Sequence, residues 1–170
     1  MIKRKNVSDK IKLASGIATI NWYLANSLPD VSLITQSSAY CFYNNKFAIV
    51  KQKGKDEWSI PGGHLEPNES PKETVIREVY EEAYLSISEP KLFGFQKYTR
   101  ADRSVFYQIR WFALVNKILD FKAEYETERV EFVLPEEVGN YLLWWNTSKA
   151  GVAELQDALL IYKESIGGYE

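Results

Sequence analysis

Between Ser70 and Ala83 the chain spells out one helix with its start written in full. Ser70 is an N-cap residue, Pro71 suits the first helical position, and Glu73, three residues on, completes a capping box. The spacing predicts a helix over Pro71–Ala83. At about 3.6 residues per turn, Val75, Ile76, Val79, Tyr80 and Ala83 share one side, and Glu78, Glu81 and Glu82 share the other. The apolar side calls for a core to pack against. The acidic side brings three carboxylates into one small volume.

Such a cluster resists itself, because each like-charged pair one turn apart costs a few tenths of a kcal/mol, about 0.2–0.5. Arg77 is the one basic residue in the last two turns. A divalent cation answers the repulsion better. Magnesium takes hard oxygen ligands, commonly carboxylates together with substrate phosphates and water. Gly62 and Gly63, just upstream, let the backbone approach a bound group, and Gly62 is a candidate to lend a carbonyl. Taken only as a run of glutamates, the same face also reads as a solvated surface.

The spacing decides between these readings. The stretch from Gly63 to Leu85 resembles the Nudix box of the Nudix hydrolases, G-x5-E-x7-R-E-U-x-E-E-x-G-U with U aliphatic. Gly63 and Glu69 fill the first two positions, then Arg77-Glu78-Val79 and Glu81-Glu82 come next, and Leu85 closes the pattern. Six specified positions agree by chance on the order of 10⁻⁵ per chain of this length. One position departs: Tyr84 stands where the family has its last glycine. A left-handed residue there would end the helix, and a tyrosine adopts that conformation at a cost of about 1–2 kcal/mol. The departure touches the helix exit and leaves the upstream carboxylates intact.

The chain of 170 residues is long enough for one domain with a sizeable core, and its 45% apolar and 26% charged residues are ordinary for a globular protein. A net charge of −2 gives no sign of a nucleic-acid polymer as partner. Cys41 is alone and His64 is the single histidine, so neither a thiolate nor a histidine-rich metal centre is expected, and a reducing cytoplasm is. Met1–Lys5 is basic, but Asp9, Lys10 and Lys12 interrupt the stretch after it, so no secretory leader and no membrane span are expected.

Residues 1–30 read as an N-terminal extension. Ile11, Ala14, Ile17 or Ala18, and Tyr23 or Leu24 give a loose helical period, predicting a helix packed on the domain, with a dimer contact or a substrate lid as alternatives. The main domain spans 31–170. Strands are predicted over Val31–Tyr43 and Lys46–Lys51, joined by a tight Asn44-Asn45 turn, and over Trp58–Pro61. Lys91–Arg100 and Ser104–Asn116 form a hairpin rich in aromatics. Residues 117–128 read as a loop, Val130–Leu134 as a strand, and Pro135–Val138 as a short helix. Ser148–Ile166 reads as the last helix, whose stripe of Val152, Leu155, Leu159, Tyr162 and Ile166 faces either the core or a homodimer seam; Gly167-Gly168 stops it. Among the aromatics, Trp58 and Tyr98 are candidates to stack a base.

Pattern alone gives one α/β domain. The resemblance implies more: a Nudix-type α/β/α sandwich with a mixed β-sheet, and hydrolysis of a pyrophosphate linkage in a nucleoside diphosphate derivative. By position, Glu78, Glu81 and Glu82 would be metal ligands with the Gly62 carbonyl, and Glu78 and Glu81 the catalytic residues. Glu78 is also the candidate to orient or deprotonate water. Gly63, Glu69 and Arg77 would be structural, with Arg77 and Glu69 holding the loop to the helix. A later glutamate often joins the site in this family, and Glu126 or Glu128 is the candidate. The cofactor would be Mg2+, or Mn2+. No proline lies between Pro90 and Pro135, which departs from ADP-ribose-type members. That favours a nucleoside triphosphate, oxidised ones included. The alternative is a non-catalytic domain that binds nucleotide as a sensor or regulator.

Overall fold

The computed structural model describes residues 7–167; Met1–Lys5 and Gly168, named among the sequence features, lie outside the described residues. In chain order the elements are β1 (Val7–Leu13), β2 (Gly16–Leu24), β3 (Ile34–Tyr43), β4 (Lys46–Gln52), β5 (Trp58–Ser59), β6 (Gly62–His64), α1 (Pro71–Ala83), β7 (Leu85–Ile87), β8 (Lys91–Thr99), β9 (Val105–Ile118), β10 (Thr127–Val133), α2 (Trp144–Thr147) and α3 (Lys149–Ile166). The strands form one mixed sheet in the order β1-β2-β8-β9-β3-β4-β10, with β5, β6 and β7 paired at its flanks. The central β3–β9 pair is parallel and its neighbours are antiparallel. Helix α1 packs on one face and α3 on the other, which is the expected α/β/α sandwich.

The two faces are separate cores because side chains alternate along each strand. On β3, Ala39 and Cys41 face α1, whereas Tyr40 and Phe42 face α3. Helix α1 buries the narrow line of Val75, Val79 and Ala83. Fully burying each valine stabilises by about 1.5–3 kcal/mol. Ile76 and Tyr80, expected on the same side, sit one residue further round and are about half exposed. The stripe on α3 meets the sheet through Leu155 and Tyr162, with Tyr162 stacked on Phe42 at 4.4 Å, while Ile166 is half exposed.

Residues 7–24 are not the predicted helix. They form a β-hairpin turned at Ala14-Ser15 and closed by Gly16, where φ is +114°. In β2 the period is two: Ala18, Ile20 and Trp22 are buried, while Ile17 is exposed and Thr19, Asn21 and Tyr23 are half-buried; Leu24, on the buried register, is exposed at the strand end. β-Branched residues and an open β8 edge outweigh the loose helical spacing. The hairpin therefore extends the same sheet, and Trp22 Nε1 donates to Asp157 of α3 at 2.8 Å. Two smaller differences concern ends. Residues 31–33 form a 3₁₀ turn capped by Asp30, and β10 starts earlier than predicted, at Thr127. Among the described residues no helix is long and apolar enough to cross a membrane.

Candidate active site

Helix α1 is fixed at both ends by local chemistry. Its capping box is formed: Glu73 N–H donates to Ser70 Oγ at 3.2 Å, and Ser70 N–H donates to Glu73 at 2.8 Å. The first-turn carbonyl of Pro71 accepts from Ser37 Oγ at 2.6 Å, and that hydroxyl accepts from Trp111 Nε1 at 2.7 Å. A helix start is thus fastened to β3 and β9 through one buried serine.

At the other end Tyr84 is left-handed, with φ 53° and ψ 43°, as the position demands. It is also buried. Its ring meets Phe121 at 5.4 Å and its hydroxyl donates to Glu124 at 3.0 Å. Removing the ring therefore outweighs relieving the backbone strain. Tyr84→Gly is expected to lower the melting temperature on the order of 5 °C in a thermal melt. An equal or higher value would show that strain dominates.

Between these ends Arg77 binds four acceptors. It forms two parallel bonds to Glu69, of 2.8 and 2.9 Å, and donates to Glu78 at 2.9 Å, Glu81 at 3.2 Å and the His64 carbonyl at 3.2 Å. Glu69 also accepts from Glu66 N–H and Thr74 Oγ1. These donors, Arg77 first, hold its carboxyl down to about 2. The loop from His64 to Glu69 is clamped to the helix in this way.

Glu82 lies apart from that clamp. It is 5% exposed and accepts from Gly62 N–H at 2.9 Å. Burial, then the nearby carboxylates of Glu78, Glu126 and Glu81, push its carboxyl up to about 7. Burial likewise raises Glu78. Backbone contact requires glycine at Gly62, and at Gly63 a side chain would displace the Glu78 carboxylate. A Cβ on Gly62 would meet Ser38 Oγ at 2.3 Å, and one on Gly63 would meet Glu78 Oε1 at 2.3 Å.

The acidic side opens into a cleft of about 580 Å³, lined by Gln36, Gln52, Lys55, Gly62, Gly63, His64, Leu65, Glu66, Pro67, Arg77, Glu78, Glu81, Glu82, Tyr125 and Glu126. Of the two late candidates, Glu126 lines the cleft and Glu128 instead pairs with Lys51 at 3.3 Å. The structure brings neither stacking candidate into the cleft. Trp58 meets Tyr141 edge-on at 5.5 Å with Arg129 over its ring. Tyr98 is 6% exposed, stacked on Phe106 in the α3-side core, so it has no open face for a base. Sequence reasoning missed Gln36, Gln52, Lys55 and Tyr125 as cleft residues. For Tyr125 a signal existed, an aromatic placed between glutamates in a polar loop.

As the side chains stand, no three acidic, histidine or cysteine residues among the described ones are placed to hold a metal ion. Arg77 spans Glu69, Glu78 and Glu81, and Glu82 turns to Gly62. The donor set nonetheless suits a hard cation. It is all oxygen, and two of its carboxyls hold protons more tightly than usual, so added positive charge is favoured there.

That electrostatic state has a measurable consequence in chelator. Glu82 holds its proton more tightly folded, near 7, than unfolded, near its ordinary 4.5. The folded state therefore binds more protons between those values, and stability falls as pH rises through them. The metal-free protein is expected to be more stable at pH 5 than at pH 7.5, by up to about 3 kcal/mol in denaturant titrations. Below about pH 4.5 the trend reverses, because the unfolded chain protonates Glu69 there while the folded carboxyl, held near 2 by Arg77, stays charged, and that stability is lost as pH falls toward 2. Equal stability at pH 5 and 7.5 would show that Glu82 is open to water.

Known proteins share this fold. A NUDIX domain family model matches residues 35–155. Human diphosphoinositol polyphosphate phosphohydrolase 2 is 42% identical over 77 residues, covering 42% of this chain and 43% of that protein. A probable DHNTP pyrophosphohydrolase of Lactococcus lactis is 31% identical over 83 residues, covering 48% and 49%. The chain thus spans less than half the length of these curated relatives. Among solved structures, the Bacillus subtilis pyrophosphohydrolase BsRppH superposes with a TM-score of 0.70 at 20% identity, over 95% of this chain and 98% of that one.

Proposed function

The chain belongs to the NUDIX domain family, and from that premise we propose that it hydrolyses the pyrophosphate linkage of a nucleoside diphosphate derivative using Mg2+, or Mn2+ in its place. One observation carries the reading: Glu78, Glu81 and Glu82 from α1 and Glu126 from the loop before β10 open into one cleft beside Gly62 and Gly63. Glu78, Glu81, Glu82 and the Gly62 carbonyl would hold the ion. An ion held there would neutralise phosphate charge and lower the pKa of the attacking water. Glu78 orients that water and takes its proton. The water oxygen bonds to phosphorus, the bridging P–O bond breaks, and the leaving phosphate keeps the electron pair. Arg77 and Glu69 keep the loop and helix in register.

The substrate favoured is a nucleoside triphosphate, oxidised ones included. Diphosphoinositol polyphosphate, named for the human relative, suits the cleft less. Among the described residues the lysines and arginines lining it are Lys55 and Arg77, and Arg77 is already shared by three carboxylates. A densely phosphorylated ring finds few partners on such a wall. The rival reading, a sensor that binds nucleotide without turnover, is disfavoured because all three box glutamates are kept.

A phosphate-release screen over a nucleotide panel, with a diphosphoinositol compound included, tests the proposal. Nucleotide binding without release from any compound would favour the sensor. Release is expected to need magnesium or manganese. Calcium is expected to support it poorly, because its bonds to oxygen are about 2.3–2.6 Å against about 2.0–2.1 Å. Full turnover after exhaustive chelation would remove the metal from the mechanism.

A further inference from the structure

We propose that Tyr125 is the specificity-determining residue of this cleft and stacks on the flat base of a nucleotide. The inference rests on the reading of the cleft as the pyrophosphate site. Among the described lining residues Tyr125 supplies the one six-membered aromatic ring. It is 41% exposed, one residue from Glu126, whose carboxylate acts on Glu78 and Glu82. A base on this ring would leave the attached phosphates beside the glutamates.

The ring is held ready. Residues 119–126 are tied down on both sides: Leu119 N–H donates to the Tyr84 carbonyl at 2.9 Å, Lys53 Nζ to the Ala123 carbonyl at 2.6 Å, and Lys53 N–H to the Glu126 carbonyl at 2.9 Å. The Tyr84 hydroxyl fixes Glu124, the residue before Tyr125, and the two tyrosine rings lie 6.2 Å apart at 49°. So the tyrosine that replaces the last box glycine organises the loop that carries the stacking ring. A half-exposed aromatic on a fixed backbone gives up little conformational freedom on binding, which is what a stacking platform needs. Every base offers a π face, so the ring selects nucleotides as a class against phosphate compounds that lack one.

Calorimetry with magnesium tests this with two probes: a methylene-bridged, non-hydrolysable nucleoside triphosphate, and methylene bisphosphonate as its base-free counterpart. Tyr125→Ala is expected to weaken the nucleotide analogue roughly 5- to 100-fold and to leave the bisphosphonate within about twofold. Tyr125→Phe is expected to keep both. Melting temperatures of both variants should stay within a few degrees of the parent, because the ring is half-exposed and its ring contact is with Tyr84 at 6.2 Å. If Tyr125→Ala binds the nucleotide analogue like the parent, or loses both probes equally, the stacking role is overturned while the cleft reading stands. If the parent binds the bisphosphonate but not the nucleotide, the stacking role is likewise overturned. If the parent binds neither, the cleft reading fails with it.

Discussion

Replacing Glu78 by glutamine is expected to lower turnover at least about a hundredfold while the metal-free melting temperature holds or rises. Two losses act on the rate. The amide cannot accept the water proton, and losing a general base typically costs about 10²–10⁴. It is also a weaker ligand for a hard cation than a carboxylate. Stability moves the other way because of where Glu78 sits. Its carboxyl is desolvated and faces Glu81 and Glu126, and these together outweigh the Arg77 bond and raise its proton affinity. Folding therefore disfavours the ionised form, and a neutral isostere relieves that. Arg77 keeps both bonds to Glu69 and the one to Glu81. Turnover surviving within about threefold at saturating magnesium would make Glu78 a bystander and move the proton to Glu126.

The glutamates of α1 were legible in the sequence because helix geometry and caps are local. Ser70, Pro71 and Glu73 set the start, and the start sets the phase of every later side chain. What required distant partners was not legible. Residues 16–24 carry both a loose helical and an alternating pattern, and only the β8 edge, seventy-odd residues on, settles which is used. Glu126 and Glu128 were equivalent as text. Pairing of β10 with β4 puts Thr127 across from Gln52 and leaves Glu128 reaching Lys51, so Glu126 faces the cleft. Aromatic identity says nothing of which face of a sheet a ring is on. Tyr98 went to the α3 side, and Tyr125 looked like one more polar-loop residue.

The largest change in stability is expected at Glu154, which the helical reading passed over because a glutamate in a helix interior is usually solvated. Here it is fully buried on the inner face of α3. It pairs with Arg110 of β9 at 2.8 Å and accepts from the Tyr40 hydroxyl at 2.9 Å and from Gln96 Nε2. Tyr40 in turn accepts from Trp145 Nε1, and Tyr98 donates to Gln96, so one carboxylate ties α3 to three strands and to α2. Glu154→Leu leaves the guanidinium of Arg110, 7% exposed, without its counter-charge. Breaking a buried pair in this way costs about 3–5 kcal/mol, so the melting temperature should fall on the order of 10 °C. Because the partners are coupled, Arg110→Met added to Glu154→Leu should recover much of that loss. The cleft proposed as the active site lies beside α1, across the sheet from α3, so turnover of the folded protein should change by less than about twofold. A double variant no more stable than Glu154→Leu would place the cost in the orphaned Tyr40 and Gln96 donors. An unchanged melt for the single variant would mean that apolar packing of Leu155, Ala158 and Tyr162 alone holds α3 to the sheet.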